Sequence, residues 1–185
     1  MSSAGWNTAR AMALRRFGSL AFALLIVAGC GGASEGLEVG EVSSCTLAGA
    51  SGEEFGVRRT TLTGTESGLE VEWTITGDLP DAGTTLFVVE ATDMDEEERR
   101  ELGVEYSDDA PVVSYVDGGA GRKDLEGGAE RDAASVRAVF PADAVEALGD
   151  SFWWRSTLGV DGDVIDACPD PGDDPSNPEL ATFPN

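Results

Sequence analysis

The chain is predicted to fold as an all-β, antiparallel β-sandwich, immunoglobulin-like or jelly-roll-like, with two short helices and one disulfide. Three observations carry that prediction. Short segments rich in Val, Thr, Ile and aromatic residues recur between Gly- and Asp-containing turns. One of them alternates strictly in polarity. Cys45 and Cys168 stand near the two ends of the body so built.

The elements follow in order. Residues 55–63 are rich in Thr and Val and read as a strand. Leu69, Val71, Trp73 and Ile75 then alternate with Glu70, Glu72, Thr74 and Thr76 between Gly68 and Gly77-Asp78. That is a strand with one buried face. Residues 84–90 are more continuously apolar and read as a central strand. Residues 93–102 read as a short helix. Asp93 caps it with Glu96 three places on, Arg99 and Arg100 favour its last turn, and Gly103 stops it. Residues 112–116, 135–140 and 152–160 complete the strands. Asp117-Gly118-Gly119, Glu126-Gly127-Gly128 and Asp161-Gly162 mark the turns. A second helix is read over 141–148, with Pro141 in its first turn and Gly149 at its end. Many antiparallel-style strands with two linking helices make a sandwich.

Adjacent residues of a strand point to opposite faces. Phe152, Trp154 and Leu158 therefore share one face, and Trp153, Arg155 and Thr157 the other. Trp154 is expected inside and Trp153 partly exposed, its ring stacked on a neighbouring arginine. Trp153 and Arg155 are the candidate ligand-facing pair. An exposed aromatic on such a face can bind sugars; a covered surface tryptophan is the plainer reading.

The N-terminal region fixes where the protein is expected to live. Arg15 and Arg16 precede an apolar run over 17–27, too short for a bilayer-spanning helix of about 20 apolar residues. Small residues end it, as in a signal peptide. Val27-Ala28-Gly29-Cys30 resembles the bacterial lipobox. The resemblance implies residues 1–29 as a lipoprotein signal peptide and Cys30 as the acylated first residue of the mature chain. Two acyl chains anchor stably where one alone is marginal. The leader starts at Met1 or Met12. Arg15-Arg16-Phe17 leaves twin-arginine export open beside the general route, although the apolar residue comes one place early. The expected location is the outer face of the cytoplasmic membrane, in the cell envelope.

Removing 1–29 takes away three arginines and no acids, leaving nine basic residues against 35 acidic ones, a net charge of −26. Such a surface repels nucleic acid and anionic head groups. No nucleic-acid partner is expected, and the domain should stand off the membrane. With Cys30 lipidated, Cys45 and Cys168 remain. In an oxidising compartment the pair is expected to form a disulfide. Closing so long a loop stabilises by about 4–5 kcal/mol in the chain-entropy model. An intermolecular bond or two free thiols are the alternatives. Residues 30–44 read as lipidated cysteine and flexible tether, spanning roughly 20 Å as a coil. Residues 45–168 form the domain, and 169–185, rich in proline and acids, read as a disordered tail.

The chain has no histidine. That excludes Ser-His-Asp and Cys-His nucleophilic sites and His-bearing zinc sites. Lys123, its only lysine, lies in a flexible turn, a poor place to depress an amine pKa. Among 35 acids no carboxylate pair stands out for glycoside chemistry. A non-enzyme is expected, with no cofactor. Asp93, Asp95 and Glu97 match the start of a calcium loop, but Glu98 stands where its glycine belongs. Asp161, Asp163 and Asp166 are weak calcium candidates, for which a hairpin turn is the plainer account.

Phe140-Pro141-Ala142-Asp143-Ala144, Leu148-Gly149, Phe152-Trp153-Trp154, Val160-Asp161-Gly162-Asp163 and Asp166-Ala167-Cys168-Pro169 follow one another in this order. This region resembles the end of uncharacterised secreted β-sandwich proteins and lipoproteins of high-GC Gram-positive bacteria, most specifically in its Asp-x-Cys-Pro. The resemblance implies the fold and no particular activity. The expected function is a lipid-anchored, non-enzymatic domain binding a protein or envelope component. The alternative is a calcium-dependent or carbohydrate-binding module directed at an envelope glycan.

Overall fold

Period-two alternation builds the centre of the fold. The computed structural model describes residues 37–47, 55–107, 112–170 and 179–185, all within one compact unit. The first strands are β1 (Val42–Thr46), β2 (Gly56–Thr65), β3 (Gly68–Thr76), β4 (Thr84–Asp93), β5 (Arg99–Ser107) and β6 (Val113–Gly118). Then come β7 (Lys123–Leu125), β8 (Glu130–Arg131) and β9 (Ser135–Pro141), followed by the helix α1 (Ala142–Val145) and a 3-10 turn (Glu146–Leu148). The chain ends with β10 (Phe152–Val160), β11 (Asp163–Cys168) and β12 (Ala181–Phe183). One sheet runs β1-β2-β3-β9-β8 and the other β11-β10-β4-β5-β6-β7, every pair antiparallel. β12 lies beside the first half of β10 and β11 beside the second half.

The inner faces supply one core. Leu69, Val71, Trp73 and Ile75 of β3 are buried, as their alternation predicts, and meet Phe87, Val89 and Ala91 of β4 and Leu102 and Val104 of β5. The expected disulfide is present: Cys45 of β1 is bonded to Cys168 of β11, with Cα atoms 5.9 Å apart and a sequence separation of 123. It joins an edge strand of each sheet. In the same layer Cys45 is paired with Thr60 and Thr60 with Trp73, while Cys168 is paired with Ser156. Thr60 Oγ1 donates to Ser156 Oγ at 2.9 Å, and Trp73 Nε1 donates to it at 3.0 Å. One layer on, the Trp154 indole N–H donates to Ser43 Oγ at 3.0 Å, and Ser43 donates to the Thr182 carbonyl at 2.6 Å. Both buried indoles thus satisfy their one donor across the sheets.

α1 and the 3-10 turn cap one end of the sandwich, burying Val145 and Leu148. The opposite end is filled by Phe87, with Phe55, Trp73 and Tyr106 at ring separations of 6.3, 5.8 and 6.0 Å.

Three sequence expectations are corrected. Residues 93–102 are not a helix. The Asp93 N–H donates to the Glu98 carbonyl at 3.0 Å, Asp93 Oδ1 accepts from the Glu98 N–H at 2.9 Å, and β5 follows. A helix there would have had no apolar face to bury. As a strand, it places Leu102 and Val104 in the core. The tether does not extend to residue 44, because β1 begins at Val42 and Ser43 is fully buried. Residues 169–185 are not wholly a disordered tail: β12 pairs with β10, and Phe183 is fully buried, stacked on Phe152 at 5.0 Å. The intervening residues 171–178 lie outside the described residues.

Phe183→Ala is expected to cost about 3–5 kcal/mol in chemical denaturation, as for a buried aromatic. No loss would return 179–185 to the status of a tail. Ser156→Ala strands two buried donors and is expected to cost about 1–3 kcal/mol in the same measurement.

Candidate functional site

Three places gather chemistry-bearing side chains. The first is the outer face of the second sheet, which holds Trp153 and Arg155 as expected. Register sets Arg155 opposite Glu90 and Glu90 opposite Glu101. Arg155 Nη2 donates to both Glu90 oxygens, at 2.8 and 3.0 Å, and Nε adds a bond of 3.1 Å. Arg99 pairs with the same carboxylate. The Arg155 fork is therefore engaged within the face. Trp153 is half-buried between Thr92 and Thr182 on the flanking strands. The arginine stacking expected at Trp153 occurs elsewhere, because Glu90 holds Arg155. Among the described residues the contact is that of Arg122, 3.8 Å above the Tyr115 ring centroid.

Tyr115 is the most enclosed group on this face. Its ring lies over Gly103, where an added Cβ would come within 2.2 Å of Tyr115 Cζ. That approach explains a glycine in mid-strand. The phenol donates to Glu101 Oε1 at 2.6 Å. Arg122 is held by Glu105 at 2.8 Å and Asp124 at 3.1 Å. Burial, then the bond to Glu101 and its negative charge, push the phenol well above its ordinary value of 10.0, against the pull of Arg122. Burial also raises Tyr106, whose hydroxyl is buried without a hydrogen-bond partner. A phenol with a raised folded pKa keeps its proton while the unfolded chain loses it. Stability is then fully present below the unfolded value and falls as pH rises above about 10. Alkaline denaturation titrations should show this fall, and it should be smaller in Tyr115→Phe. Tyrosinate absorbance that rises at the ordinary pH in folded protein would refute the enclosure.

The second place is the β10–β11 turn with its aspartates. Asp161 Oδ1 accepts from the Thr84 N–H at 2.9 Å, and Asp166 Oδ2 accepts from the Val57 N–H at 2.9 Å. Asp163 is exposed at the start of β11. Two of the three weak calcium candidates thus bond backbone N–H groups on separate strands. Among the described residues no three acidic or thiol side chains are grouped to hold a metal ion. Asp93, the first of the earlier acidic run, is engaged in its own turn.

The third place is the end capped by α1. A cleft of about 360 Å³ opens there. Its apolar wall is Leu37, Val39 and Val145, and its rim carries Glu66, Asp143 and Glu146. The chain enters the fold here: the Gly40 N–H donates to the Gly64 carbonyl at 2.9 Å, and the Gly64 N–H donates to the Glu41 carbonyl at 2.9 Å. Sequence reading placed Leu37 and Val39 in the tether and missed this wall. The signal was two apolar residues spaced by one in an otherwise polar stretch. A neighbouring cleft that shares Asp143 has Lys123 and Ser67 among its lining residues. Lys123 is exposed on β7, a strand where a loop was expected, and Ser67 bonds Thr65 at 3.1 Å.

No family model matches the chain, and no curated protein or solved structure matches it. Among the described residues no helix is long and apolar enough to cross a membrane.

Proposed function

We propose that the protein is a non-enzymatic domain, anchored by lipid on Cys30 to the outer face of the cytoplasmic membrane. There it binds a protein or envelope component through the end of the sandwich at which its chain enters. The observation that carries this reading is the position of Leu37. It lies in the wall of the cleft, seven residues after the lipobox cysteine. Fully extended, those residues reach at most about 25 Å. An anchored domain would keep this end close to the bilayer. The Cys45–Cys168 bond supports an oxidising compartment, since such bonds are rare where thiols are kept reduced. The lipobox and the likeness of residues 140–169 to secreted lipoproteins of high-GC Gram-positive bacteria support export. The absence of histidine in the sequence and the exposure of Lys123 support a binding role over catalysis.

Mass spectrometry of the mature chain should find Cys30 as its first residue, carrying a diacylglyceryl group, and no free thiol. Cys30→Ala should move the protein from the detergent phase to the aqueous phase in phase partitioning. An unprocessed, unacylated chain that already partitions into water would overturn the proposal.

A further inference from the structure

We infer that the cleft beside α1 is a docking site for a short partner segment carrying both apolar and basic side chains. The inference deepens the reading above and rests on it for the orientation of the cleft toward the membrane. The cleft is lined by the apolar side chains of Leu37, Val39, Ala142 and Val145 and by the carboxylates of Glu66, Asp143 and Glu146. Val39, in its lining, is 64 % exposed, and Val42, three residues on at the start of β1, is 46 % exposed. Exposed apolar groups gathered at one place mark an interaction surface more often than scattered ones do.

Charge selects the occupant. Glu38 and Glu41 lie on the entering chain, and the β4–β5 turn adds Asp95, Glu96 and Glu97 at the same end. Beside β4–β5 Arg99 is engaged by Glu90 and Arg100 by Glu98, and exposed Lys123, in the adjoining cleft that shares Asp143, is one cation among these carboxylates. The field over the cleft is therefore negative, and it draws a basic segment while repelling an acidic one. A second copy of this chain, itself at −26 once the leader is removed, is repelled. Anionic lipid head groups are repelled for the same reason. What remains is a basic, apolar polypeptide segment presented close to the membrane surface. Apolar side chains would fill the space between Val39 and Val145, and ammonium or guanidinium groups would meet the carboxylate rim.

The test uses the mature chain in detergent and three twelve-residue probe peptides, alternating leucine with lysine, leucine with glutamate, and serine with lysine. The leucine–lysine peptide should bind, and its affinity should fall as salt is added. The triple variant Val39→Ser, Glu66→Gln, Glu146→Gln changes three exposed side chains, and its melting temperature verifies the fold. It should bind this peptide about tenfold more weakly or worse, as should the wild type with either other peptide. Equal affinity of variant and wild type would overturn the inference. So would equal binding of the serine–lysine peptide, or tighter binding of phosphatidylglycerol vesicles than of the leucine–lysine peptide. The same titration on Cys30→Ala separates the two readings. Peptide binding by a chain whose Cys30 proves unacylated leaves the cleft standing and removes the anchor. An acylated chain that ignores the peptide does the reverse.

Discussion

The two sheets are tied at one lateral edge, and the remainder of the sandwich is arranged around that tie. Cys45 on β1 and Cys168 on β11 are edge residues of opposite sheets, and the bond between them spans 123 residues of chain. Short edge strands fray unless something holds them. The disulfide holds both at once and removes loop-closure entropy from the unfolded chain, an effect of about 4–5 kcal/mol in the chain-entropy picture. It also sets the register of its layer. With Cys45 and Cys168 joined, Thr60 and Ser156 face each other, and the Trp73 indole falls on the same hydroxyl. Ser156 is a polar group in the dry interior, tolerable because two donors meet it there. Trp154 repeats the solution one layer on, with Ser43 and the Thr182 carbonyl. β12 is held at the tied edge by that second set, which is why the last residues of the chain belong to the domain.

Surface charge contributes little to this stability. The ion pairs on the outer faces, Arg155–Glu90, Arg122–Glu105 and Arg137–Glu72, are all partly exposed. Such pairs are worth about 0–1 kcal/mol each. Large inner aromatics count for more, since removing one costs about 3–5 kcal/mol. The acid excess therefore acts at longer range. It sets the sign of the field over the molecule more than it sets the fold.

Sequence periodicity disclosed the interior well. β3 could be read residue by residue, because its apolar and polar side chains alternate without a break. The disulfide followed from cysteine number and from the compartment that the leader resemblance implies. What failed had a common cause. Residues 94–101 are almost wholly charged or polar, so local capping signals outweigh the weak alternation of Leu102 and Val104, and the sequence of a hairpin resembles that of a helix. β1 and β12 are short strands whose polar residues look like linker. Their partners, Thr182 for Ser43 and Phe152 for Phe183, are far away in sequence, and no local pattern encodes such pairings. Gly103 looked like a helix stop; in the fold it admits the Tyr115 ring, a contact visible only once β5 and β6 are paired. Trp153 and Arg155 were correctly set on one face, but the carboxylate that engages Arg155 comes from another strand.

The cleft was hidden for the same reason, and its position gives it meaning. α1 closes that end of the sandwich because Val145 and Leu148 need burial, and a helix this short cannot cover the full width of two sheets. The entering chain covers part of what remains with Leu37 and Val39, leaving a cavity between helix and strand. Packing alone would favour filling it with larger apolar residues, since uncovered apolar surface forfeits about 25 cal/mol per Å². Instead the cleft stays open and is rimmed by carboxylates that make the site costly for another acidic surface to approach. An open cleft that combines apolar and carboxylate side chains is poorly explained by stability alone, and the basic, apolar segment proposed above would answer both features.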